Sequence, residues 1–215
     1  MFIDSLIVGP YQTNCYIYGN EETKSAWIID PGADADKIID IIEKRNVTPV
    51  SILLTHGHWD HIMGLPKLIE TYPSLEIFIG EKDLNYLGKE GKDFINKYCF
   101  DLTFLQRFKN EINSLPKADY VLNGDEFLDD CKLQVIATPG HTPGGVCYYS
   151  AENNILFSGD TLFANSIGRC DLVGGDYQAI QQSLGKLMEL DDEVIVLPGH
   201  GPRTSIKQEK NNPYF

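Results

Sequence analysis

Thr55-His56-Gly57-His58-Trp59-Asp60-His61 is the stretch on which the reading of this chain turns. It follows an apolar run, residues 50–54, of the kind that forms a buried strand. Four side chains able to bind a metal (His56, His58, Asp60, His61) then fall within six residues. Transition metals are held by imidazole and carboxylate at such density, gathered from several loops. A lone histidine is more often a satisfied core side chain, but that explanation does not extend to a cluster.

Working outward, the remaining histidines sit in the same kind of setting. His141 follows Thr138-Pro139-Gly140, and His200 follows Leu197-Pro198-Gly199. Asp160 follows Phe157-Ser158-Gly159. Each lies just beyond an apolar, strand-like run, where strand ends deliver residues into a shared crevice. The expected metal set is therefore His56, His58, Asp60, His61, His141, Asp160 and His200.

Alternating apolar runs bounded by Gly, Pro and Asn predict strands at 2–8, 14–18, 26–29, 50–54 and 75–79, then at 133–137, 145–149, 155–157 and 194–197. Helices are expected from Asp34, as its cap, to about 45, from about 61 to 70, and over 177–188 with Ile180, Leu184 and Leu187 on one stripe. Strands occur in adjacent runs as well as alternating with helices. That pattern suits an α+β fold of packed sheets with helices outside. Residues 84–117 differ. Phe94, Tyr98, Leu102, Leu105 and Phe108 form one helical stripe, read as a helical insertion packed on the core rather than a cap over the site. The whole of 1–215 is read as one domain.

The motif set resembles the metallo-β-lactamase superfamily, and within it the glyoxalase II-like (hydroxyacylglutathione hydrolase-like) branch. The resemblance runs from Gly9-Pro10-Tyr11-Gln12-Thr13-Asn14-Cys15-Tyr16 through Asp30-Pro31-Gly32 and the His56–His61 motif to Thr138-Pro139-Gly140-His141-Thr142-Pro143-Gly144. It continues through Gly159-Asp160-Thr161-Leu162-Phe163, Gly168-Arg169 and Pro198-Gly199-His200-Gly201. It implies a four-layer αββα sandwich with metals at one edge. By that resemblance His56, His58 and His141 hold one ion, Asp60, His61 and His200 a second, and Asp160 bridges them. Asp30 is either a partner that orients a ligand histidine or a turn residue before Pro31. Two divalent ions would activate a bridging hydroxide against a thioester carbonyl, with Asp60 as the catalytic carboxylate orienting it. Zinc is the default, since no redox step is needed, with iron and manganese also able to fill such a site.

The implied substrate is a small-molecule thioester, S-D-lactoylglutathione or a related hydroxyacyl thioester, with Arg169 at a substrate-binding position. Asp171 and Pro202 stand where the branch carries tyrosines. The branch's helical C-terminal region is expected to be absent or reduced to 204–215. Gly168-Arg169-Cys170-Asp171 also looks like persulfide dioxygenases of the same superfamily, which use one iron. The same ligand set would also suit a lactonase, a phosphodiesterase or a metal-binding module without catalysis.

A net charge of −13 disfavours nucleic acid as partner. No apolar run reaches the length of a membrane span, and the first residues do not read as a secretory signal. The five cysteines form no CxxC pair and read as free thiols of a cytoplasmic protein. Nothing in the sequence sets the oligomeric state.

Overall fold

The computed structural model describes residues 1–212 and 214. The first sheet holds β1 (Phe2–Val8), β2 (Thr13–Gly19), β3 (Ser25–Ile29), β4 (Thr48–Leu53), β5 (Glu76–Gly80) and β6 (Tyr120–Leu122), in that spatial order. β1 to β3 pair antiparallel through short turns. β3 to β6 pair parallel and so need crossovers. These are α1 (Ala35–Arg45), then α2 (Trp59–Ile62) with α3 (Leu65–Thr71), then α4 (Gly88–Tyr98), α5 (Leu102–Arg107) and α6 (Lys109–Asn113).

The second sheet is built from β7 (Phe127–Leu128), β8 (Leu133–Ala137), β9 (Val146–Ser150) and β10 (Ile155–Gly159) as an antiparallel meander. A small hairpin, β11 (Leu162–Phe163) with β12 (Ser166–Ile167), follows. α7 (Tyr177–Leu187) then carries the chain to β13 (Ile195–Pro198), which pairs parallel to β10, and β14 (Thr204–Ser205) and α8 (Ile206–Glu209) come last.

Period-two alternation sorts the strand residues into layers. Cys15 and Ile17 of β2 face α1, α3 and the α4–α6 helices, whereas Tyr16 and Tyr18 face the other sheet. On the second sheet Val146, Tyr148 and Phe157 point inward, and Cys147 and Leu156 lie under α7 with Ile180, Leu184 and Leu187. Three apolar layers thus separate four layers of secondary structure, and the fold is the expected α+β sandwich of αββα type.

Three expectations need correction. The helix drawn over 61–70 is two helices. Gly64 N–H donates to the Pro31 carbonyl at 2.7 Å, and a Cβ there would lie 2.5 Å from that oxygen, so the chain breaks at 63–64. Pro66 then opens α3 near its first turn. The single stripe over 94–108 is interrupted where Cys99 leaves the helical region, so Leu102 is 77% exposed and the buried apolar residues include Ile95, Cys99, Phe104, Phe108 and Ile112. Asp34 precedes α1 but makes no side-chain cap; it accepts from Gly9 N–H and Lys37 Nζ, both at 3.1 Å.

Candidate metal centre

The carboxyl ends of β3, β4, β10 and β13 open at one edge of the sandwich, the usual crevice of parallel strands. Asp30 directly follows β3, His56–His61 follow β4, Asp160 follows β10, and His200 lies two residues beyond β13. His141 enters on the β8–β9 loop. All seven residues expected from the sequence converge here. One nitrogen from each of His56, His58 and His141 lies within 4.8 Å of the others, and the donors of Asp60, His61 and His200 form a second such group. Asp160 faces both: Oδ2 is 3.5 Å from His141 Nε2 and 3.6 Å from His200 Nε2, and Oδ1 is 3.4 Å from His61 Nε2.

Hydrogen bonds behind the rings set the tautomers. A carbonyl only accepts, so His141 Nδ1 donates to the Arg169 carbonyl at 2.7 Å and leaves Nε2 a bare lone pair. Asp30 accepts from Thr55 N–H (2.8 Å), Thr55 Oγ1 (2.6 Å) and His61 Nδ1 (3.0 Å). With its O–H directed at Asp30, Thr55 Oγ1 is left to accept from His56 Nδ1 at 3.1 Å. One carboxylate therefore turns Nε2 of both His61 and His56 inward. This decides between the two roles open to Asp30: it orients ligand-type histidines. It also lies near His56 and His61 as a third donor group, but its oxygens are already taken.

The arrangement fits a cation on its own evidence. His56 Nε2 and Asp160 Oδ1 are buried with no hydrogen-bond partner among the described residues. His58 Nδ1 and His141 Nε2 are 2.8 Å apart, and the Nε2 atoms of His61 and His200 are 3.3 Å apart. Such facing lone pairs repel unless a proton or a cation lies between them. A Cβ on Gly199 would come 2.2 Å from Asp160 Oδ1 and 2.8 Å from His61 Cε1, so the backbone here leaves space only for the two donors.

The electrostatics of the two groups differ. Burial, reinforced by His141, lowers His58 to about 3, and burial with the neighbouring imidazoles lowers His56 well below its ordinary value. Burial also works against the His61 imidazolium, but Asp160, Asp60 and Asp30 outweigh it and raise His61 to about 10. Burial would raise Asp60, yet His61, His200 and His58 hold it well below the carboxylate range. His56 and His58 are thus neutral and ready for a cation, whereas the other group carries a proton on His61 that a cation must displace.

A cleft of about 460 Å³ opens over the centre, lined by Tyr11, Trp59, Phe163, Ile167, Leu172 and Arg169 besides the ligand-type residues. Arg169 lies at this cleft, but its guanidinium is forked onto Asp171, with Nε–Oδ1 and Nη2–Oδ2 both 2.7 Å.

Three residues of the site escaped the sequence reading. Buried Asp83 accepts from Gly57 N–H (3.0 Å) and Gly144 N–H (2.7 Å), tying the His58 and His141 loops together; burial raises its carboxyl. A single acid in a polar run carries no pattern that would single it out. Asn14 Nδ2 donates to the carbonyls of Pro198 and Gly201, both at 2.9 Å, and Tyr16 donates to Pro198 at 2.7 Å. They fix the His200 loop to β2, and the Asn14-Cys15-Tyr16 motif was the available signal.

The family model for the Metallo-beta-lactamase superfamily matches residues 8–200. The chain is 35% identical to the Hydroxyacylglutathione hydrolase GloC of Haemophilus influenzae, covering 100% of this chain and 98% of that one. Among solved structures, the BLEG-1 B3 metallo-beta-lactamase superposes with a TM-score of 0.85 at 35% identity, covering 99% of both chains. TTHA1623 in a di-iron-bound form superposes at 0.79 with 31% identity, covering 99% of this chain and 100% of that one. With the sandwich, the edge crevice and the paired donor groups in agreement, the chain belongs to the metallo-beta-lactamase superfamily and is a metal-dependent hydrolase of that fold.

Proposed function

We propose that this hydrolase cleaves small-molecule thioesters of the hydroxyacyl class, such as S-D-lactoylglutathione. The observation that carries the reading is the pair of three-donor groups meeting across Asp160 at the floor of the cleft. Similarity to GloC along the full chain supports the substrate class.

His56, His58 and His141 would hold one divalent ion and Asp60, His61 and His200 the other, with Asp160 between them. Zinc suits this imidazole–carboxylate set, and iron remains open through the di-iron relative. Bound there, the two ions supply a water deprotonated near neutral pH and polarise the scissile carbonyl. Asp60, kept ionised by its histidine neighbours and 3.2 Å from His200, offers Oδ2 as an acceptor that orients the attacking water. A thiolate leaves without a strong general acid, so none need be supplied. No cysteine competes as nucleophile: burial lifts Cys147 to about 11 and Cys15 well above its ordinary value. Arg169 is the substrate contact, and a substrate carboxylate would have to displace Asp171 from it.

All five cysteines are free, which favours a reducing compartment such as the cytoplasm. No helix among the described residues is long and apolar enough to cross a membrane.

The test is steady-state hydrolysis of S-D-lactoylglutathione by protein whose metal content is quantified in the same sample. Turnover with about two ions per chain is expected. Full loading without turnover would remove this substrate. A second reading, β-lactam hydrolysis, rests on the similarity to BLEG-1 and is checked with nitrocefin on the same sample. Persulfide dioxygenase chemistry uses a single iron and leaves the Asp60–His61–His200 group without a role.

A further inference from the structure

Tyr11 lies in the turn between β1 and β2, two residues before Thr13, whose hydroxyl donates to the Asp60 carbonyl at 2.9 Å. Its ring stacks on buried Phe104 of α5, with centroids 5.4 Å apart and planes 14° apart. Its hydroxyl donates to Asp101 Oδ2 at 2.7 Å, while Asp101 Oδ1 accepts from Phe104 N–H at 2.9 Å and caps α5. Tyr11 is thus gripped by α5 at both the ring and the hydroxyl. Trp59 continues the row: its ring is 6.5 Å from Phe104 and 5.8 Å from His58. Tyr11 and Trp59 thus both line the cleft and both pack against the buried Phe104 behind it.

Despite these contacts Tyr11 remains 38% exposed and lines the cleft. Phe163, Ile167 and Leu172 add apolar lining from the β11–β12 hairpin and the chain after it. Beyond the Asp and His of the centre, the only charged lining residue among the described residues is Arg169, which Asp171 offsets. A ring held in place before binding loses little freedom when a ligand stacks on it. The cleft therefore offers a neutral, rigid aromatic face in the same cavity as the donor groups, and the methyl of a lactoyl group would leave it uncovered.

We propose that Tyr11, held by its stack on Phe104, selects the acyl group, and that the preferred substrates are thioesters of 2-hydroxy acids bearing an aromatic side chain. This rests on the thioesterase reading above. The experiment compares kcat/KM for S-D-lactoylglutathione and S-D-mandeloylglutathione in the wild type, Tyr11→Ala and Tyr11→Phe, at matched metal content. The wild type should favour the mandeloyl thioester about three- to tenfold, the worth of one aromatic pair, chiefly through KM. Tyr11→Ala should lose that preference and Tyr11→Phe, which keeps the ring, should retain it. A purely structural role would lower both substrates together and leave their ratio unmoved. No preference in the wild type, or a preference surviving in Tyr11→Ala, overturns the assignment of Tyr11 while lactoyl turnover leaves the thioesterase reading standing. Failure of the loaded wild type on both thioesters overturns both.

Discussion

Single atoms decide how the centre is charged. His61 is raised to about 10 in the metal-free protein, so between its ordinary 6.5 and 10 the folded chain keeps a proton that the unfolded chain has lost. The stability from that pairing is full below pH 6.5 and is lost as pH rises through 10. A cation entering the Asp60–His61–His200 group must displace this proton, while His56 and His58 are already neutral. Metal content measured by equilibrium dialysis should therefore climb from about one ion per chain near pH 6 to about two near pH 9. Two tightly held ions at pH 6 would contradict this. Gly199 sets the other limit. Its missing Cβ is the space occupied by Asp160 Oδ1 and His61, so Gly199→Ala should lose at least one ion and most activity. Metal analysis beside a circular dichroism spectrum would separate that loss from unfolding. The residues that converge on the candidate centre were legible because their side-chain chemistry is rare and clustered. Asp83 was not, because its role is defined by two backbone N–H groups, at Gly57 and Gly144, that a sequence does not show in space.

At the scale of elements, α7 shows how packing holds a loop of the site. Ile180, Leu184 and Leu187 are fully buried against the second sheet. Gly140, with φ of +141°, lets the His141 loop approach Ile180, where a Cβ would lie 2.4 Å from the helix backbone, and Ser183 Oγ donates to the Pro139 carbonyl at 2.7 Å. Leu184→Ala should cost about 2–5 kcal/mol by cavity formation, read by urea unfolding of the metal-free protein. A smaller change would mean that the sheet closes over the gap. The stripe of α7 was readable because one helix buries one face. The 84–117 segment misled because three short helices succeed one another, and a three-or-four spacing continues through a break that only Asp101 marks, by capping α5.

At the scale of the whole molecule, the centre is a joint between the two sheets. Asn14 on β2 holds carbonyls 184 and 187 residues away, and Thr13 bridges to His200. Asn14→Ala should release the loop that carries His200, lowering affinity for the second ion at least tenfold, while the His56–His58–His141 group keeps its own. Unchanged affinity for both ions would show that the strand bridge alone suffices. Metal binding selects the folded chain, so removing metal should lower Tm, by an amount reflecting about 4 kcal/mol when free metal is a thousand times Kd. Calorimetry with and without chelator measures it.

Sequence alone determined the strand and helix periods, the set of candidate metal-binding side chains and their place just beyond strand ends, because side-chain chemistry and hydrophobic period are local properties. Tertiary structure decided which nitrogen of each histidine points inward, that Asp30 serves two of them, that Arg169 is spent on Asp171, and that Tyr11 forms part of the cleft. Those facts depend on side chains as far as 90 residues apart, on the conformation adopted by near neighbours such as Arg169 and Asp171, or on backbone groups that carry no sequence signature, and only the folded chain brings them within hydrogen-bond reach.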